Sequence, residues 1–592
     1  LWVGAATSPN TRENARIQLK QMIKEPKNAQ NPFILRRCPW CAASFGAFWA
    51  GSHTEVLGYK REDDTVIFRC PDQLCDFASA EKVALLAPES VKGNCLPVSV
   101  IDEDLIDRPP NLIVATVDKF AMLAWKPNLR AFFGLDKHGN QLGDPPSLII
   151  QDELHLISGP LGTIVGAYET VIEELCSKDA IKPKIIASTA TISRAQEQIK
   201  NLYARDKCAI FPPTGFDANE SFFAEESRES DGSLSPGRMY VGVMAPGHMS
   251  LQTTQARVYA SLLQWPNVPD WSDNEIDPWW TLLCFFNSLR ELGSAATIMI
   301  ADTKDYLRVI CSRHGLGTKE FLRSSLFPTE LTSRIASDEI PERLNQLENV
   351  YRKYDPDKAI PWIQKAVDVC LASSIIEVGV DVPRLSLMAV VGQPKTTAQY
   401  IQVTSRIGRR LDRPGLVYTM YSPSKARDRS HFENFKSYHQ KVYSFVEPTS
   451  VTPFSIPAVE RTLHSLAVAF IRQKSDVGTT AKLPNVGIPS ELANAVREMI
   501  ETRVNLVSPI DRDYVMDKLE KRFNEWKFWN PENYGEFFGM PQDPTLMHPA
   551  GQTPPKEWGS MSWPTLSSMR GVDASAEAAV TRYYNQPRET QE

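Results

Sequence analysis

The hydrophobic positions in the first part of the chain follow two spacings, one typical of short buried strands and the other of amphipathic helices. Apolar runs predict strands at 112–117, 148–152 and 185–189. Helical spacing predicts helices from Thr11 to Lys24 and from Leu161 to Cys176. Strands that alternate with helices favour a parallel sheet covered on both faces. We therefore predict an α/β domain over residues 1–210.

A second α/β pattern lies further along the chain. Residues 211–280 are predicted to form a connector, because Glu225–Arg238 is rich in Glu, Ser, Gly and Pro. Residues 281–421 are predicted to form the second domain, with strands near 282–286, 296–301, 368–373 and 387–392. Residues 422–592 contain an apolar helix candidate, Leu463–Ile471, and a tail rich in Pro, Trp and Gly. We expect a mainly helical accessory region there that packs on the rest and contacts nucleic acid or a partner.

The composition describes a soluble globular protein and excludes few functions. The chain has 592 residues, of which 42% are hydrophobic and 23% charged, and its net charge of −6 gives no overall basic field. Nucleic acid would have to bind in a local groove. No apolar run approaches the roughly 20 residues of a membrane span. The ten cysteines suggest no disulfide framework in a chain of this size, so we expect a cytoplasmic protein without membrane contact.

Four of the cysteines are spaced like metal ligands. Cys38 and Cys41 form a Cys-x2-Cys pair, and Cys70 and Cys75 form a Cys-x4-Cys pair. Each pair can turn two thiolates toward one ion, and thiolates in tetrahedral geometry prefer Zn2+. Four buried free cysteines or a redox pair are the alternatives. We predict a structural zinc ribbon inserted at about residues 36–78, because four protein ligands leave no position for water.

Carboxylates and arginines follow two of the predicted strands. Asp152 and Glu153 end the apolar run that begins at Leu148, and such a pair can hold Mg2+ and orient an attacking water. Arg406 and Arg409 stand three residues apart on a predicted helix, so both would lie on one face. Two such arginines can neutralise the charge that develops on a leaving γ-phosphoryl group. Alone, each pattern is more often a capped or solvated surface.

In this order, the motifs resemble those of superfamily 2 helicases. The similar segments are Leu112–Lys119, Leu148–His155, Ser188–Thr191, Leu282–Ser288, Ser373–Pro383 and Gln402–Arg410. The resemblance implies two RecA-like lobes that close on ATP and Mg2+. It makes Asp152, Glu153, Arg406 and Arg409 the catalytic residues. Ser405 stands where the last motif usually has Gly, which leaves the helix packing there open.

The same resemblance assigns the remaining site residues by position. Gly379, Asp381 and Gln402 would serve the nucleotide site, with the first two linking it to the strand-binding surface. His155, Ser188, Thr189 and Thr191 would couple the nucleotide to the bound strand. The strand itself would be held at its backbone, without reading of the bases, by Thr116, Lys119, Thr332, Ser333, Arg334 and Ser373.

One part of the expected nucleotide site is missing from the sequence. No Gly-x-x-x-x-Gly-Lys-Ser/Thr loop, which would cradle the phosphates, occurs in these 592 residues. The chain starts at Leu1 rather than Met, and we expect the loop to lie upstream in a longer protein. Alternatively, the protein lacks the loop and acts as a nucleic-acid clamp or scaffold without hydrolysis.

A narrower resemblance rests on three phrases: Phe286–Gly293, Glu330–Arg334 and Val446–Phe454. They are similar to the DrmA group of helicase-like subunits from the bacterial DISARM anti-phage system. This resemblance implies an ATP-dependent helicase or translocase that acts on single-stranded or partly duplex DNA. It also implies a defence role and DrmB as protein partner. An RNA helicase of the processing or decay type would share the same motor residues, and only dependence on the 2′-hydroxyl would distinguish it.

Overall fold

The computed structural model describes most of the chain in segments. These are residues 9–25, 31–49, 54–78, 96–189, 193–213, 215–216, 222–223, 225–247, 250–267, 270–316, 322–323, 326–335, 339–353, 364–374, 381–410, 412–476, 480–537, 543–555, 558 and 561–570. They form two compact units. Unit 1 combines the described residues up to 189 with those of 194–208 and those from 449 onward, and unit 2 consists of Ser193 and the described residues of 209–448.

Unit 1 mixes short strands with longer helices. Its amino-terminal elements are α1 Arg12–Lys24, β1 Gly46–Trp49, β2 Thr54–Leu57, β3 Tyr59–Glu62, β4 Thr65–Phe68, α2 Asp102–Asp107, β5 Leu148–Gln151, α3 Gly159–Cys176, β6 Lys184–Ala187 and α4 Ala195–Tyr203. Two 3-10 helices, Val117–Ala124 and Pro127–Phe133, precede β5. Its carboxy-terminal elements are α13 Ile456–Lys474, α14 Ser490–Val507, α15 Arg512–Trp529, β13 Met547–Pro549 and β14 Trp563–Thr565.

The cysteine-bearing part of unit 1 is built from two antiparallel hairpins, β1–β2 and β3–β4. Helix α1 contributes Ala15, Leu19 and Met22 to an apolar core that also contains Phe33 and Phe68. Because these helix positions recur at spacings of four and three, they share the face that packs on the hairpins. Three cysteines of the predicted ribbon, Cys38, Cys70 and Cys75, belong to this core, and Cys41 is exposed.

The carboxy-terminal helices complete unit 1. Arg472 of α13 donates hydrogen bonds of 2.8 Å to the carbonyl oxygens of Ala124 and Trp125, at the end of the first 3-10 helix. Gln473 donates to the carbonyls of Leu123 and Lys126. Arg472 is also stacked 4.2 Å from the ring centroid of Tyr534. These bonds satisfy carbonyl groups that the end of a helix leaves unpaired, so part of the predicted accessory region is integral to unit 1.

Unit 2 contains one six-stranded parallel sheet with the strand order β7-β12-β11-β8-β10-β9. Its strands are β7 Arg238–Met244, β8 Leu282–Phe286, β9 Pro328–Leu331, β10 Val369–Ala372, β11 Leu387–Val391 and β12 Gly415–Tyr421. Its helices are α5 Leu251–Gln264, α6 Asp273–Trp280, α7 Leu289–Ile300, α8 Asp302–Arg313, α9 Ile340–Glu348, α10 Thr397–Thr404, α11 Ala426–Glu433 and α12 Phe435–Gln440. The central strands β8, β10 and β11 are buried on both faces, as parallel sheets require.

The α/β class, the parallel sheet and the helical carboxy-terminal region agree with the sequence prediction. Two predicted strands are wrong. Residues 296–300 belong to helix α7, whose buried Leu292, Ala295 and Met299 recur at helical spacing and whose amino end is capped by Ser288. At 112–117 the chain enters a 3-10 helix at Val117 without forming a strand. The range 211–280, expected to be a connector, contributes β7 and α5 to unit 2.

Among the described residues, the structure has no helix that is both long and apolar enough to cross a membrane.

Candidate functional site

The carboxylate pair lies at the carboxyl end of a parallel strand pair in unit 1. Strands β5 and β6 are in register from Leu148 opposite Lys184 to Gln151 opposite Ala187. Asp152 and Ser188 therefore leave the two strands side by side, and the Ser188 hydroxyl donates a hydrogen bond to the Asp152 carboxylate. The Ser188 carbonyl accepts a 2.9 Å hydrogen bond from the amide of Leu154. Two predicted site segments are thus in direct contact.

Glu153 takes a backbone conformation that is uncommon for a residue with a side chain. Its φ is +51°, in the left-handed region. Its carboxylate Oε2 lies 3.4 Å from His155 Nδ1, and the same nitrogen lies 3.2 Å from Thr189 Oγ1. His155 thereby joins the carboxylate pair to the segment after β6. Thr191 lies outside the described residues.

The two arginines of unit 2 do not lie on a helix. Helix α10 ends at Thr404, and Ser405 to Arg410 form turns and extended chain. Helical placement on one face was therefore wrong, because Gly408 has a φ of +58° and its backbone packs directly against Gly415. Arg409 pairs with Asp381 at 2.5 Å between Nη1 and Oδ1. The structure thus brings together two of the predicted site residues through an ion pair.

The other residues assigned to the nucleotide in unit 2 differ in their surroundings. Gln402 is a buried residue of α10, and its carbonyl accepts a 2.8 Å hydrogen bond from the Ser405 hydroxyl. Arg406 is partly buried beside it. Gly379 lies outside the described residues. Of the two residues expected to link the nucleotide site to the bound strand, the structure therefore describes Asp381 and not Gly379.

The strand-binding residues predicted in unit 1 are placed differently from one another. Thr116 is the partly buried residue that precedes the 3-10 helix at Val117. Lys119, in contrast, is buried, and its Nζ lies 2.9 Å from Asp102 Oδ2. The ammonium group of Lys119 therefore stabilises unit 1 through this ion pair. It could bind a phosphate of the strand only if the ion pair with Asp102 were broken.

The strand-binding residues predicted in unit 2 follow neighbouring parallel strands. Thr332 follows β9 and Ser373 follows β10. The amide of Ser373 donates a hydrogen bond of 3.2 Å to the carbonyl of Leu331. Thr332 is fully buried and donates its hydroxyl hydrogen to Glu330. Ser333 and Arg334 are exposed, and Arg334 donates 3.0 Å to the carbonyl of Leu289. The set gathers at the carboxyl edge of the sheet, where ligands of open α/β sheets bind.

Sequence analysis missed a buried glutamine beside the carboxylate pair. Gln198 of α4 is 2% exposed. Its Nε2 donates hydrogen bonds of 3.4 Å and 3.0 Å to the carbonyls of Leu154 and Ile157. Its Oε1 accepts a 2.8 Å hydrogen bond from the Thr449 hydroxyl. No motif contains Gln198, so only the three-dimensional structure identifies it.

The four ribbon cysteines converge on one point. Their Sγ atoms all lie within 4.8 Å of one another, with 3.9 Å between Cys38 and Cys75 and 3.4 Å between Cys41 and Cys70. These separations exclude disulfides, whose sulfur atoms are about 2.05 Å apart. The amide of Ala42 donates to the carbonyl of Cys38 in a tight turn, and Ala42 has a φ of +63°. That turn aims both thiols of the first pair in one direction.

The cysteine geometry fits a tetrahedral metal ion. At a zinc–sulfur distance of about 2.3 Å, the sulfurs of a tetrahedral site are about 3.8 Å apart, close to the two separations given above. Burial raises the pKa of the Cys70 and Cys75 thiols, whereas a hydrogen bond from the backbone of Ala43 lowers the pKa of Cys41. A divalent cation would favour the thiolate at all four positions.

Two sequence comparisons show similarity to known proteins. Residues 345–410 match the helicase conserved C-terminal domain, a range that includes β10, β11 and α10. The chain is also 33% identical to the DISARM protein DrmA of Bacillus paralicheniformis, in an alignment that covers 99% of this chain. The resemblance to DrmA is confirmed. The alignment covers 53% of the DrmA sequence, so this chain spans about half the length of that relative.

Solved helicase structures resemble the chain more distantly. The DUF1998 helicase MrfA, bound to DNA, is 15% identical, with a TM-score of 0.41 over 63% of this chain and 41% of its own. The Mycobacterium smegmatis helicase Lhr, bound to single-stranded DNA and AMP-PNP, is 14% identical, with a TM-score of 0.43 over 72% of this chain and 42% of its own.

Proposed function

We propose that this DrmA-like chain belongs to an ATP-dependent DNA helicase or translocase that acts in anti-phage defence within a multi-subunit complex. The observation that carries the proposal is the 33% identity to DrmA along 99% of the chain. DrmB is the protein partner that the DrmA resemblance implies. The proposed activity is ATP-driven movement along DNA, with or without strand separation.

In this proposal Asp152 holds Mg2+, and Glu153 orients the attacking water. Support comes from the Ser188 hydroxyl, which fixes one oxygen of Asp152 and leaves the other for a metal-bound water. Glu153 is held near His155 and keeps an acceptor oxygen. Arg409 and Arg406 serve the transferring phosphoryl group, and Arg409 would exchange Asp381 for that more strongly charged partner.

The proposed strand path uses hydroxyl groups and backbone amides. Ser333 and Arg334 are exposed at the carboxyl edge of the unit 2 sheet, next to the buried Thr332 and Ser373. Contacts of this kind are made to phosphates and do not discriminate between base sequences. Because such binding releases counterions, the affinity for DNA is expected to fall steeply with salt.

We also assign Zn2+ to Cys38, Cys41, Cys70 and Cys75. The ion would be structural, since the four thiolates complete its coordination. It would fix the two cysteine turns to each other and so stabilise the core that the hairpins share with α1. No step of the proposed reaction passes through this ion.

The test is ATP hydrolysis by the full-length protein, measured with and without single-stranded DNA or single-stranded RNA of the same sequence. Glu153→Gln and Arg409→Ala should each lower the DNA-stimulated rate by about 100-fold or more. Arg410→Ala is the matched control, because Arg410 neighbours Arg409 and pairs instead with Asp412 at 2.9 Å. Its rate should stay close to that of the parent protein.

Each other outcome supports a different function. Hydrolysis stimulated by RNA and not by DNA would replace the proposal with an RNA helicase, because the 2′-hydroxyl would then be required. Binding of DNA without hydrolysis, in the presence of the DrmB partner, would replace it with a clamp or scaffold. Normal turnover by Glu153→Gln would remove Glu153 from its assigned role.

A further inference from the structure

The segment Val446–Phe454 lies in the part of the chain that leaves unit 2. It is one of the three phrases that resemble DrmA, yet it holds no residue of the nucleotide or strand sites. In the structure this segment carries the chain from unit 2 into unit 1, and the division falls between Pro448 and Thr449. We call residues Glu447, Pro448 and Thr449 the crossing segment.

On the unit 2 side, the crossing segment caps the helix that leads to the two arginines. Both carboxylate oxygens of Glu447 accept hydrogen bonds from the amide of Thr397, at 2.8 Å and 2.9 Å. Thr397 is the first residue of α10. A carboxylate at this end accepts a hydrogen bond from an otherwise unpaired amide and interacts favourably with the helix dipole. Helix α10 contains Gln402 and ends just before Arg406. Glu447 therefore holds the start of the segment that presents Arg406 and Arg409.

On the unit 1 side, the crossing segment holds the residues that follow the carboxylate pair. The Thr449 hydroxyl donates to Gln198 Oε1 at 2.8 Å, and Gln198 Nε2 donates to the carbonyls of Leu154 and Ile157. The next residue is also bonded to unit 1, because the Ser450 carbonyl accepts a hydrogen bond of 2.9 Å from the amide of Gly159. Val451 is then 1% exposed. Thr449 is thus fixed to the same turn that begins with Asp152 and Glu153.

The two anchors are separated by a single residue. A span of two residues reaches about 7 Å between the Cα atoms of Glu447 and Thr449 when fully extended. Pro448 fixes its own φ and restricts the conformation of Glu447 before it. Such a connection has little slack, so a displacement at one anchor is passed to the other unless a hydrogen bond breaks.

We infer that the crossing segment couples the arginine-bearing segment of unit 2 to the carboxylate-bearing turn of unit 1, with Glu447 and Thr449 as positioning residues. The inference rests on the proposed function in one respect, because the reaction that the coupling regulates is ATP hydrolysis. Neither residue touches the reacting atoms. Their effect is to make the placement of Glu153 depend on the state of α10.

The first experiment adds slack without touching either anchor. An insertion of Gly-Ser-Gly-Ser after Pro448 should keep the basal rate of ATP hydrolysis and the affinity for single-stranded DNA. It should lower the stimulation by DNA at least about fivefold. The matched control is the same insertion after Gly232, in an exposed turn of unit 2 with a φ of +86°. Stimulation that survives the insertion after Pro448 would overturn the inference.

The second experiment needs no turnover. Hydrogen exchange is followed at the amides of Leu154 and Gly159 in unit 1 after Glu447→Gln in unit 2. The substitution weakens the cap on α10, and the coupling predicts that exchange at these two amides rises at least about tenfold. In the protein that also carries the insertion after Pro448, the same substitution should leave both amides unchanged.

The two experiments separate the failure of the coupling from the failure of the proposed function. A protein without ATP hydrolysis but with exchange transmitted from Glu447 to Gly159 would refute the motor and keep the link. Unchanged exchange at both unit 1 amides after Glu447→Gln would refute the link. Thr449→Ser retains the hydroxyl donor and should keep stimulation by DNA, whereas the isosteric Thr449→Val should lose it. Equal loss in both variants would reduce Thr449 to a packing role.

Discussion

Lys119 and Asp102 form a buried ion pair, with 2.9 Å between Nζ and Oδ2 and less than one tenth of either side chain exposed. Lys119→Met should therefore lower the free energy of unfolding of unit 1 by about 3 kcal/mol, because Asp102 loses its nearest cation and keeps the longer ion pair with Lys126, at 3.8 Å. The measurement is denaturant unfolding of the full chain. The dependence of DNA affinity on salt should keep its slope, since this ammonium group serves a carboxylate and not a phosphate.

The double variant Lys119→Met with Asp102→Asn provides the control. It removes both charges and should recover much of the lost stability. If the single variant unfolds like the parent protein and its salt slope falls by about one, Lys119 contacts the strand instead.

Removal of one ribbon cysteine should release the metal. Cys70→Ser should abolish stoichiometric zinc in the purified protein and lower the melting temperature of unit 1, because three thiolates bind the ion more weakly and the hairpins lose their link. Zinc content by elemental analysis and thermal unfolding are the measurements. Cys208→Ser, at a partly exposed position outside the cluster, is the matched control and should keep both values. A parent protein without zinc would contradict the assignment.

Glu169 of α3 should make unit 1 less stable as the pH rises. Burial raises the pKa of this carboxyl to about 7, with Arg503 and Arg205 opposing the shift and Glu173 adding to it. The folded protein therefore favours the protonated form, and this contribution is complete below about pH 4.5 and lost as the pH passes 7.

Glu169→Gln removes the titration and keeps a similar shape. The stability of the variant relative to the parent protein should increase by up to about 3 kcal/mol between pH 4.5 and pH 8. Denaturant unfolding at a series of pH values measures this difference. A difference that does not change over this range would show that Glu169 is ionised in the folded protein throughout.

Gly408 should tolerate no side chain. Its φ is +58°, and a Cβ there would lie 2.5 Å from the backbone nitrogen of Gly415. Gly408→Ala should destabilise unit 2 by more than about 2 kcal/mol and displace Arg409, because neither backbone can move aside cheaply. Unfolding and DNA-stimulated hydrolysis are measured together. Gly237→Ala, at a described glycine with open space around its Cα, should change neither.

The parts of the fold that sequence predicts are those whose patterns are local. The run Leu282–Phe286 is short and continuously apolar, as buried strands are, and the helix from Arg12 to Lys24 has its buried residues at helical spacing. The run 296–301 misled because its apolar residues extend a helix already capped at Ser288. Strand β7 was missed because it lies at the edge of the sheet and pairs with β12 alone among the described strands, which leaves Met239 exposed.

The same distinction applies to the sites. The convergence of Cys38, Cys41, Cys70 and Cys75 follows from spacing, and sequence predicts it. Contacts between residues distant in the chain leave no such trace. Gln198 and Thr449 are 251 positions apart, and nothing in either neighbourhood predicts that they meet. The pairing of Lys119 with Asp102 was missed for a related reason, since a lysine in a motif is equally able to serve a phosphate or a carboxylate.

The two ends of unit 1 are made at different times. Arg472 closes on the carbonyl of Ala124 across 348 positions of sequence, which a ribosome needs roughly 20 to 70 seconds to add at 5–20 residues per second. During that interval the amino-terminal part of unit 1 is without the helices that cover its apolar surface, whereas all of unit 2 has been synthesised by the end of the interval. We expect such a nascent chain to need chaperones that shield its first half. Stalled synthesis before residue 449 would yield a folded unit 2 attached to an aggregation-prone segment.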